Sequence, residues 1–289
     1  MKTLPEGAGS ESFLTTAKAR VVAHFAVSHV RWGDQAVLWL DTERGHAERI
    51  IQHLDHFLIS EQVELADRTK ELALLRLVGP GAAAMLSETL GAALPLLKPW
   101  HHCAAAVQGV SMIVRHNPSL GVPSYDCMGT PALAPLLTQR LVARGAVPAT
   151  EPTHELLRVE AGWPSYGIDM DENRFVVEVG RNVQAICYTK GCFLGQEPIV
   201  MARDRGQVNR TLLGVLCGAG PALAAGTKLY DGDAEVGQVT SSIVSPRLGQ
   251  TIALAYIKRG SQTPGTALTI DSASAGRHAA VCALPFADG

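Results

Sequence analysis

What this sequence lacks narrows its function before any motif is read. It contains no run of about 18 apolar residues, the length a bilayer-spanning helix needs. Its opening stretch, Met1-Lys2-Thr3-Leu4-Pro5-Glu6-Gly7, has neither the apolar centre of a secretory signal nor the Arg-rich, acid-poor character of a transit peptide. The expectation is a cytoplasmic protein with no membrane partner. None of the six cysteines (Cys103, Cys127, Cys187, Cys192, Cys217 and Cys282) stands in a C-x-x-C pair. Scattered along 289 residues, they argue against a zinc site and against a disulfide framework. A surplus of positive charge is missing too. Lys and Arg number 25 against 27 Asp and Glu, a formal net charge of −2, so direct nucleic-acid binding through overall charge is not expected. Gly79-Pro80-Gly81 lacks the third glycine and the downstream acid of a dinucleotide loop.

What is present is a globular composition, 47% hydrophobic and 18% charged, on a chain long enough for two or three domains. Alternation predicts a strand over Arg20–Val30, a turn at Gly33-Asp34 and a partner strand over Ala36–Leu40. Ala47, Ile50, Ile51, Leu54, Phe57 and Leu58 recur at helical spacing. Strands are predicted at Val63–Ala66 and Glu71–Val78, with a helix over Ala82–Leu90 after the Gly79-Pro80-Gly81 break. Ala104–Arg115 reads as a long strand or as a hairpin bent near Gln108-Gly109. Thr130 and Pro131 read as the N-cap and first position of a helix lined by Leu133, Leu136, Leu137, Leu141 and Val142. The fold class predicted is α+β, two ferredoxin-like layers of strands and helices. From Asn209 the character changes. Short apolar runs (Leu212–Leu216, Glu235–Val239, Ile252–Ile257, Ala267–Ile270, Ala279–Leu284) alternate with Gly, Pro, Asp and Ser, which predicts a closing all-β barrel or sandwich. The domains expected are 1–209 and 210–289.

Polar and glycine residues are densest from Leu157 to Leu213, without periodicity, as in loops held for recognition. Ile186–Thr189 is expected to end a strand, Gly191 and Gly195 to shape a turn, and Gln196 to start a helix. Cys192 then has the Lys190 ammonium two residues away, which favours the thiolate. The bland alternative is that Cys192 merely fills the loop. His53 and His56 could bind a metal or be a solvated helix face, and His101-His102 marks a strand entrance. Asp169 and Asp171 could ligate a cation or cap the following turn. Arg174, Arg181, Arg203, Arg205 and Arg210 form the one basic cluster visible in the sequence. It suits a polyglutamate tail, RNA phosphate or a plain solvated surface.

The string KGCFLGQE at 190–197 resembles the signature of the YgfZ family, and RGQVNR at 205–210 resembles the segment that follows it there. LRVEAGWPSYGIDMDEN at 157–173 is similar to a segment shared with glycine-cleavage T-proteins. VGQVTSSIVSP at 236–246 and ALPF at 283–286 look like that superfamily's C-terminal barrel. The resemblance implies a ring of two α+β domains and a barrel, binding tetrahydrofolate or a one-carbon derivative. It implies that Glu160 holds the pterin, with Tyr166, Lys190 and Arg205 also cofactor-binding and Cys192 as the catalytic thiol. Two departures stand out. Ala23 and His24 occupy the place of the T-protein aspartate on an early strand, without which aminomethyl transfer loses an electrostatic partner. Leu14–Arg20 resembles a segment that a further strand and helix usually precede, with Ala19 in a glycine's place. Lacking that element, Arg20–Val30 or its neighbour is expected to be an open sheet edge.

The function expected is folate-dependent assembly or repair of iron–sulfur proteins, and so indirectly tRNA modification, with iron–sulfur proteins as clients. A tetrahydrofolate-dependent aminomethyltransferase or demethylase is the rival reading, favoured by a carboxylate supplied from another position. A non-catalytic binding module on the same fold is the third.

Overall fold

The computed structural model describes residues 4–206, 208–271 and 277–286. They form two compact units, Met1–Leu14 with Ala23–Ala149, and Thr15–Val22 with Thr150–Gly289.

In the first unit, β1 (Gly9–Thr15), β2 (Val21–Trp32) and β3 (Gln35–Thr42) make one sheet with β2 in the middle. The strand expected over Arg20–Val30 is therefore interior, and β1 and β3 are the edges. Helix α1 (Ala47–Asp55) follows. The strand predicted at Val63–Ala66 is absent; those residues are mostly exposed and pair with no strand. Side chains serve the backbone on both flanks instead. Glu61 accepts from the N–H groups of Ile59 and Ser60, and Asp67 from that of Thr69, bonds that compete with a ladder.

The second sheet runs β4-β7-β6-β5, all antiparallel, from β4 (Ala73–Val78), β5 (His102–Val107), β6 (Val110–His116) and β7 (Ser124–Gly129). Gln108 and Gly109 both have positive φ, so the hairpin alternative holds. Helices α2 (Ala82–Leu90) and α3 (Leu133–Val142) supply Leu86, Leu133, Leu137 and Leu141 to a core shared with Val107, Met112, Val114 and Cys127. The α3 start is corrected: Ala132 is the cap. Thr130 closes a preceding turn, its carbonyl accepting the Leu133 N–H at 2.9 Å.

In the second unit, α4 (Glu151–Glu160), α5 (Asn182–Ala185) and α6 (Gln196–Arg205) precede a closed six-stranded barrel. Part of the stretch expected as loop, 157–160, is thus the last turn of α4. No strand ends at Ile186–Thr189, because α5 leads directly into turns. The barrel strands are β8 (Arg210–Leu216), β9 (Lys228–Asp231), β10 (Ala234–Ser245), β11 (Gln250–Lys258), β12 (Ala267–Ile270) and β13 (Arg277–Cys282). Their order is β10-β11-β8-β13-β12-β9, and closure leaves no unpaired edge. Val215, Leu229, Val239, Ala253, Ala255, Ile257, Leu268 and Val281 fill the interior. Leu212, Ile252, Leu254, Tyr256 and Phe286 form a second apolar cluster with Val159 of α4.

Candidate functional site

Burial of Val159 on the barrel brings the next residue, Glu160, against the end of β10. Its Oε1 accepts from the Ser245 hydroxyl and its Oε2 from Arg247 Nε at 3.3 Å. Ser245 Oγ in turn accepts the Leu248 N–H at 3.0 Å. Glu160 is only 7% exposed, so it is no helix-surface acid. Both carboxylate oxygens keep acceptor capacity beyond these bonds, since each carries two lone pairs. That capacity suits an N–H-rich ring, and the carboxylate's orientation is fixed by Ser245 and Arg247.

Beyond α4, the turn Ser165–Met170 buries Tyr166 and Asp169. Asp169 does not cap the turn that follows it; its carboxylate faces α4 and the barrel. Its Oδ2 accepts from Arg158 Nη1 at 2.6 Å and the Ser165 N–H at 2.9 Å, and its Oδ1 from Ser241 Oγ at 2.7 Å and Thr240 Oγ1. Arg158 also engages Glu155, the Trp163 carbonyl and Ser241. Asp171 does take the capping role, accepting the Asn173 N–H at 2.9 Å. Among the described residues no three His, Cys, Asp or Glu side chains are grouped to hold a metal ion, His53 and His56 included.

The cysteine loop is anchored by its glycine. Gly195 has φ +81°, and a Cβ there would lie 2.8 Å from the Thr16 carbonyl oxygen and 3.1 Å from Ala19 Cα. Only glycine permits both the conformation and the approach. Thr15 Oγ1 donates to the Leu194 carbonyl at 2.9 Å from the same hairpin. Above this anchor Cys192 is exposed, and Lys190 Nζ stands 4.4 Å from the centre of the Phe193 ring, a cation–π contact. Cys187 is exposed as well. The Thr189 hydroxyl, 3.6 Å from its sulfur, draws that thiol below its ordinary range. Burial does the opposite elsewhere: it raises Cys103, pushes Cys127 to about 12, and pushes Cys217 and Cys282 to about 11.

Arg205 lies exposed at the end of α6. Among the described residues no hydrogen bond or ion pair joins Glu160 to Lys190, Cys192 or Arg205. The arginines read from sequence as one basic cluster have separate partners, except that Arg174 and Arg210 share the Tyr256 ring, at 4.0 and 5.8 Å. Arg174 lies over Tyr256, Arg181 over Trp163, Arg203 pairs with Asp204, and Arg210 pairs with Glu178.

In the first unit, His24 is buried on β2. Its Nε2 lies 2.9 Å from Glu11 Oε1, and the Phe13 ring stacks on it at 4.6 Å. His24, which with Ala23 was expected at the place of the T-protein aspartate, thus has a carboxylate beside it. Sequence reading missed Glu11. The available signal was that Glu11 and Phe13, two apart on a strand, share one face.

The family described as "GCVT N-terminal domain" matches residues 1–185, and "Glycine cleavage T-protein C-terminal barrel domain" matches 210–288. The chain belongs to the glycine cleavage T-protein family. It is 34% identical over 211 residues to an aminomethyltransferase of Rubrobacter xylanophilus, covering 73% of this chain and 56% of that protein. It is 31% identical over 227 residues to an aminomethyltransferase of Saccharopolyspora erythraea, covering 76% and 61%. The chain therefore spans less than two thirds of either relative's length. The crystal structure of glycine cleavage system aminomethyltransferase T from Bartonella henselae shares the T-protein fold at TM-score 0.85 and 20% identity, covering 99% of this chain and 77% of that one.

Proposed function

We propose that this T-protein family member binds tetrahydrofolate or a one-carbon derivative and acts in the assembly or repair of iron–sulfur proteins, using Cys192. The observation that carries this reading is an exposed thiol on the KGCFLGQE loop, whose base is fixed to the hairpin at 15–19. A thiol in the open can meet a client protein, and a fixed base gives it a defined position. Glu160 would hold the pterin as an oriented acceptor, with Tyr166, Lys190 and Arg205 as further contacts. Bound folate would supply one-carbon chemistry. The test is the activity of an iron–sulfur tRNA-modifying enzyme in cells lacking this protein, restored by the wild-type chain and not by Cys192→Ser. Equal restoration by the variant would overturn the role of the thiol.

Glu11 beside His24 favours a second reading, tetrahydrofolate-dependent aminomethyl transfer, because it supplies a carboxylate next to the altered position. The names of the relatives point the same way. On the first reading, purified protein given an aminomethyl-lipoyl carrier and tetrahydrofolate shows no turnover. Robust turnover that Glu11→Gln abolishes would establish the second.

A further inference from the structure

A cavity of about 590 Å³ in the barrel unit is lined by Arg20, Glu178, Asn209, Arg210, Lys258 and Arg259. Four cations and one carboxylate give the lining a formal charge of +3. The cations come from separate segments: the hairpin at 15–22, β8, and the end of β11 with the residue after it. Three of them have identified partners. Arg210 Nε meets Glu178 Oε2 at 3.2 Å, but that oxygen also accepts the Phe175 N–H. Arg20 Nη1 donates to the Asn173 carbonyl at 2.7 Å and Lys258 Nζ to the Glu235 carbonyl at 2.7 Å, acceptors that leave both charges uncompensated. The carboxylate of Glu235 is engaged by Lys228 at 3.1 Å. Arg259 is exposed, and its backbone N–H is fixed to the Asn209 carbonyl at 2.8 Å.

The register sharpens the point. Arg210 and Lys258 are direct partners across β8 and β11. Like charges placed opposite one another on antiparallel strands destabilise a sheet. An anion between them relieves that repulsion, and Arg forks bind planar oxyanions through paired N–H groups. The cavity is open to solvent, with Arg20, Asn209, Lys258 and Arg259 exposed on its rim, and is larger than a single phosphate requires.

We infer that this cavity is a binding site for a small, multiply charged oxyanion, carrying either a chain of phosphates or a chain of carboxylates. Of the lining residues Arg210 alone belongs to the basic cluster read from sequence; none is Glu160, Tyr166, Lys190, Cys192 or Arg205, so the inference stands whether or not those assignments do.

The test is calorimetric titration of the full chain with pyrophosphate and, separately, with a triglutamate peptide, each at low and at raised salt. Saturable one-to-one binding of either probe is expected, weakening as salt rises. Arg259→Ala and Lys258→Met should each weaken it about tenfold, the scale of one lost charge-assisted bond. Preference between the probes identifies phosphate or carboxylate as the source. Lys258→Met removes the opposed charge, so it should also raise the melting midpoint measured without anion and reduce the gain that anion gives. Absence of saturable binding by both probes would overturn the inference. So would binding that both variants retain at wild-type strength.

Discussion

The stretches 157–173 and 190–197 are alike in composition, rich in glycine and in polar side chains, yet they end in opposite environments. In the first, Arg158, Glu160 and Asp169 are buried and tied to Ser241, Ser245, Thr240 and Arg247 of the barrel region. In the second, Gly191, Cys192 and Glu197 are exposed, and only the backbone around Leu194 and Gly195 is tied down. The difference lies in the available partners. Helix α4 brings its last turn to a strand whose hydroxyls point back at it. The cysteine loop meets a hairpin that offers it a backbone anchor and leaves its side chains outside. A polar, aperiodic stretch is therefore no sign of an open loop by itself.

Removing the central carboxylate of the first stretch should have the largest effect. Asp169→Ala leaves Arg158 buried with only the half-exposed Glu155 as counter-ion and should cost about 3–5 kcal/mol by denaturant unfolding, the scale for breaking a buried pair. Asp171→Ala, at a half-exposed cap, should cost about 1 kcal/mol. Equal costs would break the contrast between tied and open acids.

Glu160→Gln comes next. It turns a charge-assisted acceptor into a neutral amide and should weaken tetrahydrofolate binding by about 1.5–3 kcal/mol while the chain still melts cooperatively. Unchanged calorimetric affinity would leave Glu160 a purely internal tie.

Thiol mapping sharpens the other side. Cys187 and Cys192 should alkylate at neutral pH at least about tenfold faster than Cys103, Cys127, Cys217 and Cys282, whose thiols burial holds protonated. On the folate reading, tetrahydrofolate protects Cys192. Labelling of a barrel cysteine at the rate of Cys192 would show that the barrel opens.

A further effect concerns the first unit. Burial, and then the Arg115 guanidinium, push His102 from 6.5 down to about 4. Between those values the unfolded chain binds the extra proton. The contribution of His102 is thus complete above pH 6.5 and is lost as pH falls toward 4. His102→Asn should flatten that part of the melting-midpoint profile. An identical slope would mean that other groups set the acid limb.

The barrel was legible because short apolar runs, such as the continuously buried centre of β11, are separated by glycine, proline, aspartate and serine turns. β9 escaped notice because Lys228–Asp231 has four residues and buries only Leu229. Helix α4 was obscured by its polar first half, Glu151-Pro152-Thr153-His154-Glu155, and by burying charged residues beside Val159. The pairs that matter most were set by register, which a single strand does not carry. Arg76 and Arg115 are both direct neighbours of Asp126 across β7, and together with Asn117 they hold both of its oxygens. Nothing in the three separate strands announces that centre. Glu11 and His24 come together in the same way.

The short hairpin at 15–22 limits how this gene can be cut apart. It belongs to the barrel unit although its flanking strands belong to the other, so the backbone passes between the units three times, at 14/15, 22/23 and 149/150. One break at 149/150 would not yield two complete inheritable modules. A piece expressed as 150–289 would lack the Ala19 carbonyl that receives the Val176 N–H, the Val21 N–H that reaches the Arg174 carbonyl, and the threonine beneath Leu194. Fission or shuffling of the gene at that point would leave the cysteine loop without its floor, which favours inheritance of the two units as one reading frame.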